Sequence, residues 1–379
     1  MPAAQIYSMV NTIADNIGYT GTSVVDATSF AIFAKSALTG AKESVYNALY
    51  DVIGKTIVAI DVAKEGNDRG LIVDSFTYGS ILQKLNFQSQ AAENASEWDI
   101  ANPENPYTVV GKGGIVPKYF EQTMPAFCWK DVSYERQIIE AFHSPESFAG
   151  FTEGLFQRMR NQYNRSKKGL ADTAVGSLIA SIYADSTDMN ATRRVRHLLT
   201  EYNTTYGTSL TSKTSLIDTG YLEYVRQQMI LIKKNFDEYT HLYNTIGASG
   251  SEVPIDRRTS EEDLHIDLSV ALTAAYDKYW SLSYNEQYVS IPNHYEVVNW
   301  GEATAPQSID ISLDNGGTTI SVDNIIGLMY DKDSVVCTLD RERFVNIYDQ
   351  WNDRNVFKLE AERRFIVDPT ENAVVLLND

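Results

Sequence analysis

The chain has 379 residues, 43% of them hydrophobic, enough for a sizeable core spread over two intimately connected lobes. Its 32 basic and 50 acidic residues leave a net charge of -18, which works against the extended cationic surface that tight phosphate-backbone binding requires. Only two cysteines occur, Cys128 and Cys337, far apart and outside any paired spacing, so neither a disulfide framework nor a zinc site is signalled and a reducing cytoplasm fits best.

The opening stretch MPAAQIYSMVNTIADNIG has neither a basic leader nor an unbroken apolar run, and nowhere does an apolar stretch approach the roughly 20 residues that span a bilayer. From Asp26 to Gly40, Phe30, Phe33, Ala34, Ala37 and Leu38 recur at helical spacing. A second helix is predicted from Ala41 to Ile53 and a β-branched strand at 56–62. Between about Val62 and Trp129 the composition turns polar, with strand-like pieces SILQKLNF and YTVV separated by prolines and the GKGG of Gly111–Gly114. Too few apolar residues lie there for an independent core, so a long projecting hairpin is predicted, its edges covered by something else.

Ser144 and Pro145 read as the cap and first residue of the longest helix. Its stripe runs through Phe148, Phe151, Leu155, Met159, Tyr163, Leu170, Ala174, Leu178 and Ile182. The helix also carries a basic cluster of Arg158, Arg160, Arg165, Lys167 and Lys168, which reads as a solvated face or as a contact for a subunit or scaffold. A short helix is predicted at 193–203, then one opened by Asp218 with Leu222, Val225, Met229, Ile232, Phe236 and Tyr239 on one face. Leu264, Ile266 and Leu268 alternate as a strand, after which Ser269 caps a helix carrying Ala271, Ala275 and Tyr279. Beyond Tyr288 the chain is β-rich: YVSIP, YEVVNW, TTISV, IIGLMYDKDSVVCTL, then VFKLEAERRFIVD and AVVLL around a Pro/Asn turn. Helices early and strands late, without βαβ alternation, give an α+β class.

No phosphate loop, dinucleotide fingerprint, nucleophile elbow or paired-histidine zinc motif occurs, and GKGG lacks the pattern that would flank one. His143, His197, His241, His265 and His294 are scattered without metal-ligand spacing, so none is proposed as a ligand. Asp331 and Asp333 read as a hard-cation pair or as a turn before a strand, the latter favoured by the lack of calcium-loop spacing. No catalytic, cofactor-binding or metal residue is therefore assigned. The 23 tyrosines suit either ordinary packing or contacts that are apolar along the ring and wet at the hydroxyl, as between subunits.

The stretch from Ile326 to Asp379, with an apolar strand entering the turn Asp331, Lys332, Asp333, then VVCTLD and NVFKLEAERRFIVDPTENAVVLL, resembles the end of the major capsid proteins of tailed bacteriophages. The strand 357–368 with Arg363 and Arg364, the turn 369–372 and the final strand 373–377 follow that family's layout. The block EEDLHIDLSVALTAAYDKY (261–279) is similar to the family's axial domain, most of all in short-tailed phages of Gram-positive hosts. The resemblance implies the Hong Kong phage-type capsid fold: an N-terminal arm at 1–55, an extended loop at 56–125, a peripheral domain with a spine helix at 126–215, an axial domain at 216–330, and C-terminal strands at 331–379 returning to the peripheral domain.

It further implies a structural, non-enzymatic subunit whose hexamers and pentamers form an icosahedral or prolate head around double-stranded DNA, held without sequence-specific binding. Assembly in the host cytoplasm, a separate scaffolding protein and a portal protein belong to the same expectation, with no membrane and no cofactor. The covalent crosslink of some members needs a Lys and Asn pair to which Lys64, Lys84 and Lys112 do not match, so none is expected. An encapsulin-like nanocompartment shell and a soluble α+β hydrolase using paired carboxylates remain the alternatives.

Overall fold

A computed structural model of the chain describes residues 3–16, 19–21, 23–40, 71–74, 81–87, 115–121, 126–134, 136–137, 140, 143–185, 190–245, 255–280, 294–301, 305–313, 319–349, 351–352 and 354–379. The helix expected at 41–53, the strand at 56–62, YTVV and YVSIP lie outside these residues. The elements are, in order, α1 (Ala3–Asn16), α2 (Ala27–Gly40), β1 (Ile72–Asp74), β2 (Ile81–Phe87), β3 (Ile115–Glu121), β4 (Ala126–Tyr134), α3 (Pro145–Ala184), α4 (Ala191–Arg194), β5 (Val195–His197), α5 (Leu198–Tyr206) and α6 (Ser212–Ser215). Then come α7 (Thr219–Phe236), β6 (Leu264–Ser269), α8 (Val270–Trp280), β7 (His294–Val297), β8 (Ile309–Ser312), β9 (Thr319–Val322), β10 (Ile325–Asp331), β11 (Val335–Asp349), β12 (Arg354–Val367) and β13 (Ala373–Leu377).

The chain divides into two units. The first comprises Met1–Tyr78, Thr123–Ala171 and Cys337–Arg364; the second comprises Gly79–Gln122, Asp172–Val336 and Phe365–Asp379.

In the first unit, Asp26 opens α2 by accepting the Ser29 backbone N–H at 2.7 Å, and Asn11 of α1 grips Val24 through both its amide atoms. These contacts fix the chain entering α2, whose Phe30 and Phe33 are buried, Phe30 lying 5.7 Å from the Phe148 ring. Ser144 caps α3, accepting from the Ser147 N–H at 3.1 Å. With 40 residues, α3 is about 60 Å long. The sheet of this unit has the order β1-β11-β12-β4, β1 parallel to β11 and β12 antiparallel to β4 from Arg354↔Tyr134 to Glu362↔Ala126. β11 runs to Asp349, well past the apolar VVCTLD, because a charge-rich segment still makes a strand when a partner supplies the ladder, here helped by an Arg343–Glu360 ion pair at 3.9 Å.

In the second unit the sheet order is β5-β13-β10-β6-β7, with β13 antiparallel to β10 and parallel to β5. Every residue of β10 and β13 is buried, as central strands covered on both faces should be. Against the sheet pack Leu199 and Tyr202 of α5, Leu222, Val225, Met229 and Ile232 of α7, and Leu272 and Tyr276 of α8. Asp218 caps α7 by accepting from the Tyr221 N–H at 2.8 Å, and the Ser269 hydroxyl accepts from the Ala271 N–H at the start of α8. β2, on the expected strand piece SILQKLNF, pairs antiparallel with β3, which the sequence did not mark as a strand, from Ile81↔Glu121 to Phe87↔Ile115.

One expectation is corrected. The single helix predicted at 193–203 is divided into α4, β5 and α5, because Val195, Arg196 and His197 are drawn into a ladder with Val375, Leu376 and Leu377. Helix propensity is a weak preference, and a strand-length ladder in a buried sheet overrides it. Of the C-terminal strands, β12 pairs with β4, whereas β13 lies between β5 and β10. The turn between them is buried at Asp368, Glu371 and Asn372. Arg194 donates to the Pro369 carbonyl at 2.5 Å, and Arg257 pairs with Glu371 at 2.5 Å.

Candidate interaction surface

Several groups that carry chemistry in other proteins make structural contacts among the described residues. Asp331 accepts the Asp333 N–H at 2.9 Å and the Thr259 hydroxyl at 2.6 Å, so the DKD sequence is a one-turn 3-10 element leading into β11. Among the described residues no three His, Cys, Asp or Glu side chains gather as a metal ion requires. His197 meets Asp379 at 2.7 Å, His241 meets Asp256 at 2.9 Å, His294 stands 3.9 Å from Glu296, and His143 lies in the turn before α3. His265 stacks on Tyr330 with centroids 5.4 Å apart, and burial holds its imidazole pKa below the ordinary value. Cys128 is exposed and Cys337 buried; Lys64, Lys112 and the GKGG sequence lie outside the described residues, while Lys84 is in β2.

Among the described residues several places expose large apolar side chains, and two of them combine that exposure with a defined polar framework. On the second unit, α7 turns Glu223, Gln227, Ile230, Leu231 and Lys234 outward, with Ile230 and Leu231 about half exposed in the middle of that stripe. Tyr202 and Tyr206 of α5 and Tyr221 and Tyr224 of α7 form an aromatic cluster whose outer member, Tyr206, is exposed. Glu201 anchors its edge, accepting two bonds from Arg196, at 2.7 and 2.5 Å, and one from the Tyr224 hydroxyl at 3.1 Å. That carboxylate raises the pKa of the Arg196 guanidinium further.

On the first unit, the tight turn between β11 and β12 is pinned by Asp349. Its carboxylate accepts from the Trp351 N–H at 3.1 Å, Asn352 Nδ2 at 2.8 Å and Arg354 Nε at 2.8 Å, and the hydrogen bonds from Asn352 and Arg354 hold its pKa below the usual carboxylate range. Trp351 at the tip is 96% exposed, and Ile347 on the approach is also exposed. An open groove of about 390 Å³ lies where the end of β4 and the residues after it meet the first turns of α3. Phe151 and Leu155 line it with Gly150 and Gly154, and Glu140 and Arg158 supply charges of opposite sign.

No protein-family model matches this sequence, and neither does any curated protein. Solved structures do match. One, of the head fiber and inner core protein gp22 of native bacteriophage P68, superposes with a TM-score of 0.55 at 9% identity, covering 82% of this chain and 83% of that one. Another, the capsid of Staphylococcus phage Andhra, gives 0.54 at 8% identity, with 82% and 83% covered. The chain has the tailed-phage capsid fold. At such identities the likeness lies in the order and packing of elements, which is the level at which the sequence resemblance was drawn. That capsid-type fold makes the two exposed surfaces the natural places to look for function. Sequence reasoning singled out neither: Ile230 and Leu231 sit beside the core stripe of α7, and the only signal for the turn was DQWND set between two β-runs.

Proposed function

We propose that the chain is a structural capsid subunit, not an enzyme, which assembles with copies of itself into hexamers and pentamers of a phage head enclosing double-stranded DNA. The observation that carries this reading is the capsid-type fold, matched over about four-fifths of the chain. The residues 1–55 act as an arm and 56–125 as an extended loop that reach across neighbours, 216–330 gather the subunits into capsomers, and a scaffolding protein and a portal protein take part in assembly. The free energy comes from apolar surface buried between copies and repeated by symmetry. A net charge of -18 supports a container that does not adhere to the polyanion inside it, since like charges repel. No helix among the described residues is long and apolar enough to cross a membrane.

Electron microscopy and sedimentation of the purified chain test the reading. Closed shells or ring-shaped capsomers are expected, and a monomer that persists at high concentration with and without co-expressed scaffolding protein refutes it. Assembled particles are also expected to bind added duplex DNA weakly, and strong, salt-dependent binding refutes the electrostatic part.

A further inference from the structure

We propose that Trp351 of one copy of this chain inserts into the groove beside Gly150 and Gly154 of a second copy, so that copies close a ring around an axis at this corner of the first unit. The inference rests on the assembly reading and names the contact.

The tip is built to present the indole. Three hydrogen bonds to Asp349 fix the turn, so docking it costs little ordering of the backbone, and the ring stands 96% exposed with no role in the packing of its own chain. Tryptophan in such a position is the residue type that most often dominates a protein contact once buried.

The groove is built to receive one. Gly150 and Gly154 are interior helix residues, where glycine weakens the helix relative to alanine, yet a Cβ added at either would meet nothing within 4 Å. The packing of this chain therefore gives no reason for their missing side chains. What their absence does is thin the helix surface beside Phe151 and Leu155, leaving an open slot whose rim is polar at Ser133, Gln137, Glu140 and Arg158, a surface for a side chain that is apolar along its body and polar at one edge. Glu140, whose Oε1 stands 3.4 Å from Arg136 Nε, lines the slot with a carboxylate that an indole N–H can also meet. The wider charges agree: the turn sequence carries aspartates 349 and 353 against the single arginine 354, whereas α3 past the groove carries Arg158, Arg160, Arg165, Lys167 and Lys168 with no acid among them.

Placement selects a second copy as the occupant. Ser133, which lines the groove, and Tyr134 pair in register with Asn355 and Arg354, only a few residues from Trp351. Knob and slot thus share one corner, and in a single copy the knob stays in solvent. When each copy offers its knob and accepts its neighbour's, the contact repeats head to tail, and it closes into a ring when the rotation between copies divides a full turn, the geometry proposed for this corner.

The test uses full-length chains with the exposed Cys128 changed to serine. One population carries Trp351→Cys, another Gly154→Cys, and the two are mixed under assembling conditions and oxidised. A disulfide-linked dimer is expected in the mixture and in neither population alone. Separately, Trp351→Ala and Gly154→Leu are each expected to raise the concentration threshold for particle formation at least tenfold, with circular dichroism and melting of the free subunit unchanged. Particles that form at the wild-type threshold with Trp351→Ala, and that give no mixed disulfide, overturn the inference while leaving the assembly reading intact. Protection of position 351 that appears only on adding another protein assigns the corner to that partner and also overturns it. Failure of the wild-type chain to form particles at all defeats the assembly reading, and the inference with it.

Discussion

Replacing Asn378 with alanine should be far more costly than the size of the side chain suggests. Asn378 follows β13 and is 1% exposed. Its Oδ1 accepts from the Tyr221 hydroxyl at 2.7 Å and the Ser215 hydroxyl at 3.0 Å, and its Nδ2 donates to the Ser212 carbonyl at 3.1 Å. Burial pushes the Tyr221 phenol well above its ordinary pKa, so it stays protonated and remains a donor. Asn378→Ala removes three bonds and leaves two buried hydroxyls without this acceptor. At about 1 kcal/mol per bond, with more for an orphaned buried donor, the loss is about 3–4 kcal/mol. Tyr221→Phe alone removes one bond and costs about 1 kcal/mol. In the Asn378→Ala background the same change deletes an orphaned hydroxyl, so its cost falls to near zero and the pair shows a coupling of at least about 1 kcal/mol. Urea unfolding of the unassembled subunit, followed by circular dichroism for the four chains of the cycle, measures this. A cost below about 1 kcal/mol for Asn378→Ala, or additivity within about 0.3 kcal/mol, refutes the reasoning.

A methyl group at Gly327 of β10 would sit 3.0 Å from Leu268 Cδ2 and 3.3 Å from Leu376 Cδ1, so Gly327→Ala should destabilise by about 1–3 kcal/mol through overpacking; an unchanged urea midpoint counts against it. For His265 the folded-state pKa is lowered by burial, with Asp331 and Asp263 opposing and Lys332 assisting, so its contribution to stability is fully present above the unfolded value of about 6.5 and is lost as pH falls from there through the lowered value. His265→Phe should therefore flatten the decline of melting temperature between about pH 7 and 5, and an unaltered slope refutes the assignment. Truncation after Asn372 removes Val374, Val375, Leu376 and Leu377, all at most 1% exposed; at about 2 kcal/mol each, the roughly 8 kcal/mol lost rivals the whole stability of a typical domain. Residues 172–336 should then lose protease resistance, and a resistant fragment of that size contradicts the estimate.

The features legible in the sequence were those set by neighbours along the chain. Asp26, Ser144 and Asp218 start helices because a short acceptor side chain bonds a backbone N–H three residues on, and all three do so here. The stripe from Phe148 to Ile182 was legible because a 3.6-residue period puts it on one side of one helix. What the sequence hid depends on partners far along the chain. Val195 to His197 read as helix until Val375 to Leu377 came beside them. The turn after β12 looked like any Pro/Asn connection, but Arg194 and Arg257 reach it from 175 and 114 residues away in the chain. Trp351 carried no periodic signal at all, and its meaning rests on a groove over 190 residues earlier in the sequence.

That split between local and distant causes bears on how the sheet of the second unit closes. β13 is an inner strand, flanked by β5 and β10; without it β5, at the sheet edge, loses its one neighbour in the sheet, and β10 keeps only β6. The Asp379 carbonyl accepts the Thr200 N–H at 2.9 Å and Asn378 donates its own N–H to Asn324 at 2.8 Å, so α5 and the approach to β10 are also tied to the last residues. An unpaired inner edge is an open template for strands of other chains. The second unit can therefore complete its sheet only when residues 373–379 are in place.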